Sequence, residues 1–336
     1  MIRVALDAMG SDKAPQVEVE GAAQALKELP PGFLVQLVGR TADIEAALAK
    51  LPAGLDRSRI EIVEAPEVVA MGDKPLAAIR GKPRSSIAVG LGLQKKKKSD
   101  AFISAGNTGA VMAASTLLLR LHPGVQRAAI GAMFPTAGEP VLVVDVGANV
   151  DCDARELVGF AHLGTVFARD VLGRANPSVG LLNIGEEDEK GNAVVKEAHQ
   201  ILKQSPGIRY IGNVEGRDLP VGECRGQQLD VVACDGFVGN VVLKFYESAA
   251  RVFVSLMKRE AADLLQRPEM GNVLKVLDYA TYGGAPLLGV QGVVIICHGA
   301  SPAKAIKNAI RAAIQAVQSH LSDDIAAEFA QKGVPA

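Results

Sequence analysis

Short apolar runs recur along the chain, and between them lie longer stretches whose apolar positions return every three or four residues. The runs predict strands at Arg3–Leu6, Leu34–Val38, Ile60–Val63, Ala101–Ser104, Ala128–Phe134, Val141–Asp145, Val179–Asn183, Arg209–Ile211, Asp230–Ala233 and Val293–Cys297. The periodic stretches predict helices over 16–29, 42–50, 85–95, 108–120, 154–171, 191–203, 238–266 and 302–319. Alternation of this kind means βαβ units, hence an α/β fold with a mainly parallel sheet and helices on both faces. Pro30-Pro31-Gly32 and Pro52-Ala53-Gly54 end the first two helices. The stretch 238–282 departs from the rhythm: a long helix and a second helical piece around Asn272–Tyr279 pass without a strand. That points to a protruding arm, either a dimer interface or a hairpin, within a single α/β domain over 1–336. No repeat, linker or subdomain boundary is readable.

Composition narrows the class without naming it. A hydrophobic share of 49% with 22% charged residues is that of an ordinary globular protein. The net charge of −1 gives no global pull toward nucleic acid or anionic lipid, so any such attraction is local. Arg3 and Asp7 interrupt the first apolar run, so no signal peptide is expected, and the longest apolar runs have strand length. The expected location is the cytoplasm. Cys152, Cys224, Cys234 and Cys297 lack metal-ligand spacing, so they read as reduced thiols and no metal is expected.

The candidate chemistry lies just beyond the strands. In open α/β sheets ligands bind outside the carboxyl ends of the strands. Those positions here are dense in Gly, Asn and Asp: Ser104–Gly109, Gly147–Asp151, Gly185–Asn192, Gly212–Asp218, Asp235–Asn240 and His298–Ser301. Any one of them is explained as a tight turn with a helix cap. Six on one rim describe a surface for an anion, phosphate foremost, and for the oxyanion of a carbonyl under attack. There is no GxGxxG opening a helix, no Walker A sequence, no HExxH and no GxSxG, so the common nucleotide and hydrolase signatures are excluded.

Several charged positions carry two readings each. Lys190, between Glu189 and Gly191, is either a solvated partner of its acidic neighbours or a clamp for phosphate, or a nucleophile toward a thioester. His298 follows an apolar strand and is either a structural histidine or a general acid or base. Lys95–Lys98 reads as a solvated helix end. Lys74, Arg80, Lys82 and Arg84 form either a solvated face or a docking patch for an acidic partner. Within 247–267, Val252, Phe253, Leu256, Met257, Leu264 and Leu265 alternate with Arg251, Lys258, Arg259 and Arg267. Such a helix packs on a partner subunit or lies on a membrane surface.

Taken together and in this order, the strings resemble the PlsX-type phosphate acyltransferase family of bacterial phospholipid synthesis. The most specific are Ser104–Gly109, Asp145–Asn149, Lys190-Gly191-Asn192, Asn213–Asp218, Asp235–Asn240 and Tyr282–Gly289, and the likeness runs from Leu6–Asp12 to His298–Ser301. Two positions depart from the family pattern: Ser11 stands where a second glycine is usual, and Thr281 where an acidic residue is usual. The resemblance implies a homodimer with a fold similar to isocitrate and isopropylmalate dehydrogenases and to phosphotransacetylases. It implies transfer of an acyl group from acyl carrier protein to inorganic phosphate, with the acyl phosphate feeding a membrane glycerol-phosphate acyltransferase. It also implies peripheral membrane contact through the arm, here Phe253, Leu256, Met257 and Leu264.

A thioester is electrophilic and its thiolate is a fair leaving group, so no metal or cofactor is demanded. Gly106, Asn107, Thr108, Gly147 and Asn149 are the expected phosphate or oxyanion binders, with Asn240 and His298 on the same rim. Either phosphate attacks directly while His298 manages the proton, or Lys190 accepts the acyl group first. The rival readings are a coenzyme A-dependent phosphotransacetylase and a non-catalytic membrane-bound scaffold; a decarboxylating dehydrogenase lacks a metal-binding carboxylate cluster.

Overall fold

A computed structural model describes residues 1–52, 54–277 and 281–331. In chain order the elements begin β1 (Ile2–Asp7), α1 (Gln16–Glu28), β2 (Phe33–Gly39), α2 (Thr41–Leu48), β3 (Ile60–Glu64), α3 (Pro75–Gly81), α4 (Ser86–Lys95), β4 (Ala101–Ser104) and α5 (Thr108–Leu118). They continue with β5 (Ala129–Phe134), β6 (Val141–Val144), α6 (Ala154–Asp170), β7 (Ser178–Asn183), α7 (Ala193–Gln204), β8 (Arg209–Glu215), α8 (Asp218–Val221), β9 (Glu223–Cys224), β10 (Gln227–Gln228) and β11 (Val231–Ala233). Next come α9 (Gly236–Glu260), α10 (Ala262–Leu265) and α11 (Pro268–Leu277), then β12 (Ala285–Leu288), β13 (Val293–Ile296), α12 (Ala303–Gln318) and α13 (Leu321–Gln331).

Two compact units result, a division invisible in the composition. The first holds residues 1–128 and 282–331, the second residues 129–281. In the first the strand order is β3-β2-β1-β4-β13-β12, parallel except for β12 against β13. In the second it is β5-β6-β11-β7-β8, parallel except for β5 against β6. Every residue of β4, β6, β11 and β13 is buried, which a strand achieves only when helices cover both faces of its sheet. The expected α/β architecture is therefore the observed one.

Helix α12 explains why the first unit closes. Its buried positions Ala305, Ile306, Ala309, Ile310, Ala313 and Ala316 form one stripe at helical spacing. The stripe meets α1 so closely that a Cβ at Gly21 would stand 2.5 Å from the Cβ of Ile306. Removing Ile306 from water contributes about 2 kcal/mol. In the second unit α6 begins with a capping box, Asp153 accepting from the Glu156 amide while the Glu156 carboxylate accepts from that of Asp153.

Some elements were not expected. Helix α3 begins with proline at its first turn and is a single short helix, too brief for periodicity to register. Strand β12 contains Pro286, which the pattern reads as a breaker, yet Pro286 stands opposite Ile295 in the antiparallel pair. The expected helix over 238–266 breaks at Ala261, whose φ of −146° is not helical, and resumes as α10. Of the second helical piece, α11 covers residues through Leu277; 278–280 lie outside the described residues.

Candidate active site

The first unit builds a rim from three turns at the carboxyl ends of β1, β4 and β13. Asp7 ends β1 and is buried, and burial raises its carboxyl above the usual aspartate range. One oxygen accepts from the Met9 amide at 3.0 Å and the other from the Ser104 hydroxyl at 2.7 Å. Ser104 in turn accepts from the Gly106 amide at 3.0 Å. Gly10 lies so close to this turn that a Cβ there would stand 2.6 Å from the Gly106 nitrogen, so only glycine fits. Asn107 caps α5 by accepting from Ala110 at 3.0 Å, and its amide group donates to the Ala70, Met71 and Asp73 carbonyls. Its side chain is thus spent on holding the turn. The Thr108 and Gly109 amides, which open α5, have no partner among the described residues, and Thr108 is exposed.

The third turn carries His298, which is exposed. The Ala300 amide donates to its Nδ1 at 3.2 Å, so the neutral ring carries its proton on Nε2. The same turn is tied to the first by the Asp12 amide, which donates to the Gly299 carbonyl at 2.9 Å.

The second unit repeats the device. Asp145 follows β6, is buried, and has its carboxyl raised by burial. It accepts from the Ile130, Ala148 and Asn149 amides at 2.9, 3.1 and 2.7 Å, and from Asn149 Nδ2 at 3.0 Å. Gly147 and Asn149 are thereby fixed, with the Asn149 side chain turned inward. The start of α9 presses on this turn: Gly236 donates to the Asn149 carbonyl at 2.7 Å. A Cβ at Gly239 would come within 1.9 Å of the Asp145 carbonyl oxygen. Exposed Asn240 stands beside exposed Gly147, 3.6 Å from where a Cβ there would lie.

Lys190 sits on the loop after β7 in this unit, exposed, with its stem over Gly185. Two of its acidic neighbours are engaged elsewhere, while exposed Glu187 and Glu189 make no ion pair among the described residues. Glu186 pairs with Arg217 and Arg225, and Asp188 with Lys203 and with His199, whose Nδ1 lies 2.7 Å from the Tyr210 hydroxyl. Among the described residues no carboxylate pairs with Lys190, so its ammonium is available to an anion. Of the expected site residues, Gly106, Asn107, Thr108 and His298 belong to the first unit, and Gly147, Asn149, Lys190 and Asn240 to the second. Sequence reasoning missed the bracing carboxylates Asp7 and Asp145, whose signal is an aspartate directly closing an apolar run ahead of a glycine turn.

Elsewhere in the first unit, Lys82 donates to Asp73 and to the Val68 carbonyl, while Lys74, Arg80 and Arg84 are exposed beside exposed Met71 and Leu76. In the second, Phe253, Leu256 and Leu264 are exposed and Met257 half-buried. All four cysteines are free, and burial pushes the Cys297 thiol up to about 12. Among the described residues Glu186, Asp218 and Cys224 form a group of potential metal ligands. The arginines on Glu186, and a Cys224 thiol raised by burial, disfavour a cation there.

The family described as "Fatty acid synthesis protein" matches residues 2–323. The phosphate acyltransferase of Heliobacterium modesticaldum is 49% identical, with 95% of each chain covered. That of Nostoc sp. is 45% identical over 98% of this chain and 96% of its own. A phosphotransacetylase from Streptococcus pyogenes shares the fold, with a TM-score of 0.62 at 17% identity over 95% of this chain and 94% of that one. Matched along nearly its whole length in this way, the chain belongs to the phosphate acyltransferase family of fatty acid synthesis proteins and is an acyltransferase.

Proposed function

We propose that this enzyme moves a long-chain acyl group from acyl carrier protein to inorganic phosphate. The observation that carries the reading is the pair of glycine turns at strand carboxyl ends, each held in shape by a buried aspartate, in a chain of this family. Hydrogen phosphate attacks the thioester carbonyl carbon, the C–S bond breaks, and the phosphate proton ends on the departing thiolate. Gly106, Asn107 and Thr108 shape an anion site in the first unit, where the free amides opening α5 supply donors, and Gly147, Asn149 and Asn240 shape one in the second. His298, with its proton on Nε2, serves as a donor to an oxygen and as the proton's carrier. Lys190 serves as a cation toward phosphate. A nucleophilic amine needs a dry pocket, which this exposed side chain lacks, and an amide there would be a poor acyl donor.

The acyl phosphate would be consumed by a membrane glycerol-phosphate acyltransferase. Exposed Lys74, Arg80 and Arg84, with Lys82 behind them, suit the acidic surface of acyl carrier protein. No described helix is long and apolar enough to cross a membrane. Phe253, Leu256, Met257 and Leu264, with Lys258, Arg259 and Arg267 around them, suit peripheral contact with an anionic membrane face from the cytoplasm. The α9 stripe of Val241, Phe245 and Val252, exposed in one chain, suits burial in a homodimer.

The test is to incubate the protein with long-chain acyl-acyl carrier protein, with and without phosphate, and trap acyl phosphate as hydroxamate. Phosphate-dependent product is expected. Product from short acyl-coenzyme A alone would replace the reading with a phosphotransacetylase, and carrier binding without product would replace it with a scaffold.

A further inference from the structure

We propose that Glu18, on α1, is a positioning residue that holds the Gly10–Asp12 turn against the rest of the first unit's rim. Glu18 is 0% exposed, yet it is a carboxyl in a helix whose other inward positions are apolar. One oxygen accepts from the Ser11 amide at 2.9 Å. The other is buried with no partner. Ser11 is flanked by the two residues that join this turn to the others: Gly10 abuts Gly106, and the Asp12 amide donates to Gly299 next to His298. Whatever moves Ser11 therefore moves the turn on which all three strand ends converge. The role depends on the reading of this rim as part of the phosphate site.

The orphan oxygen makes the latch sensitive to charge. A neutral carboxyl satisfies the Ser11 amide and leaves no uncompensated charge. An ionised one is repelled by the buried Asp7 carboxyl, and Ser11, through its amide and hydroxyl, offsets only part of the lost hydration while the second oxygen stays unpaired. Burial raises the Glu18 carboxyl to about 7, so the change falls in the working range. Asp7 on β1 and Cys297 after β13 feel its charge, and the adjoining segments also carry Asp12 and Lys13 on the turn and His298 beyond β13. On α12 are Lys304, Lys307 and Arg311, of which Lys307 pairs with Glu28. On α2, Asp43 and Glu45 pair with Arg40 and Arg57. Ionisation is relieved when the side chain swings out of the core, and that releases Ser11.

Two readouts test the role on the full chain. Amide exchange over residues 9–13 is compared between wild type and Glu18→Gln at about pH 6 and about pH 8.5, either side of the titration. The wild type is expected to exchange severalfold faster than the variant at the higher pH and alike at the lower. The phosphate KM is measured at the same two values. Its rise with pH is expected to be about fivefold steeper in the wild type than in Glu18→Gln, the ionisation of phosphate being common to both. Glu18→Val removes the acceptor for Ser11 and is expected to raise the phosphate KM at both pH values, with kcat less affected. Equal exchange and parallel KM profiles would overturn the proposal, and so would wild-type KM values in Glu18→Val. An exchange difference without acyl phosphate from any of the proteins would uphold the latch and overturn the assigned reaction instead.

Discussion

Asp145 shows how much one side chain can decide. It holds four donors from two segments, so Asp145→Ala leaves two buried amides, a half-buried one and one buried carboxamide without their acceptor. A loss of about 3–5 kcal/mol in urea unfolding is expected, with phosphate turnover falling alongside it. Lys190 belongs to the opposite class, exposed and unpaired, so its removal costs the fold little. Lys190→Ala is expected to raise the phosphate KM about tenfold with kcat within a few-fold, as loss of an electrostatic contact to a bound anion does. Complete loss of thioester cleavage, with phosphate binding intact, would establish the acyl-lysine route instead.

At the scale of elements, α9 is the outlier. Beyond Gly239 none of its described residues is buried, although Tyr246 donates to the Pro135 carbonyl and tilts against Phe134, ring centroids 5.5 Å apart. Phe245, 75% exposed, lies on the stripe with Val241 and Val252, while Lys244, Arg251 and Lys258 occupy another face. An apolar stripe left uncovered along so long a helix marks an interaction surface, and the proposed homodimer is what would cover it. In the proposed homodimer Phe245→Glu places charge in the seam, so a shift to a monomer in analytical ultracentrifugation is the expected outcome. An unchanged mass would show that the stripe is covered by something other than a second copy. Most elements were legible in the pattern, since four-residue apolar runs and amphipathic stretches survive in any context. α3, β12 and the break at Ala261 were not, because a proline or a few polar residues hide an element that its neighbours hold in place.

For the whole molecule, buried carboxyls set the response to pH. A carboxyl raised in the folded state keeps its proton when the unfolded chain has lost it. Stability from Glu18 is therefore full below about 4.5 and lost as the pH rises through about 7. The loss is about 3 kcal/mol, and the raised Asp7 and Asp145 carboxyls act in the same direction. Thermal melts across that range are expected to fall toward neutrality in the wild type and to flatten in Glu18→Gln; parallel curves would place the charge elsewhere.

Chemistry and architecture were already present in the order of residues. Strand–helix alternation, anion-ready turns and the absence of nucleotide motifs are local properties, and each follows from spacing along the chain. The candidate residues were readable for the same reason, because glycine and asparagine after an apolar run mark a strand end wherever they occur. What they do there was decided by tertiary contact. Asn107 and Asn149 turned out to be spent inside their turns, Lys190 was left without a carboxylate partner among the described residues, and His298 received its tautomer from Ala300. Asp7, Glu18 and Asp145 became buried carboxyls because segments distant in sequence closed over them, and burial depends on the packed neighbours rather than on the residue itself.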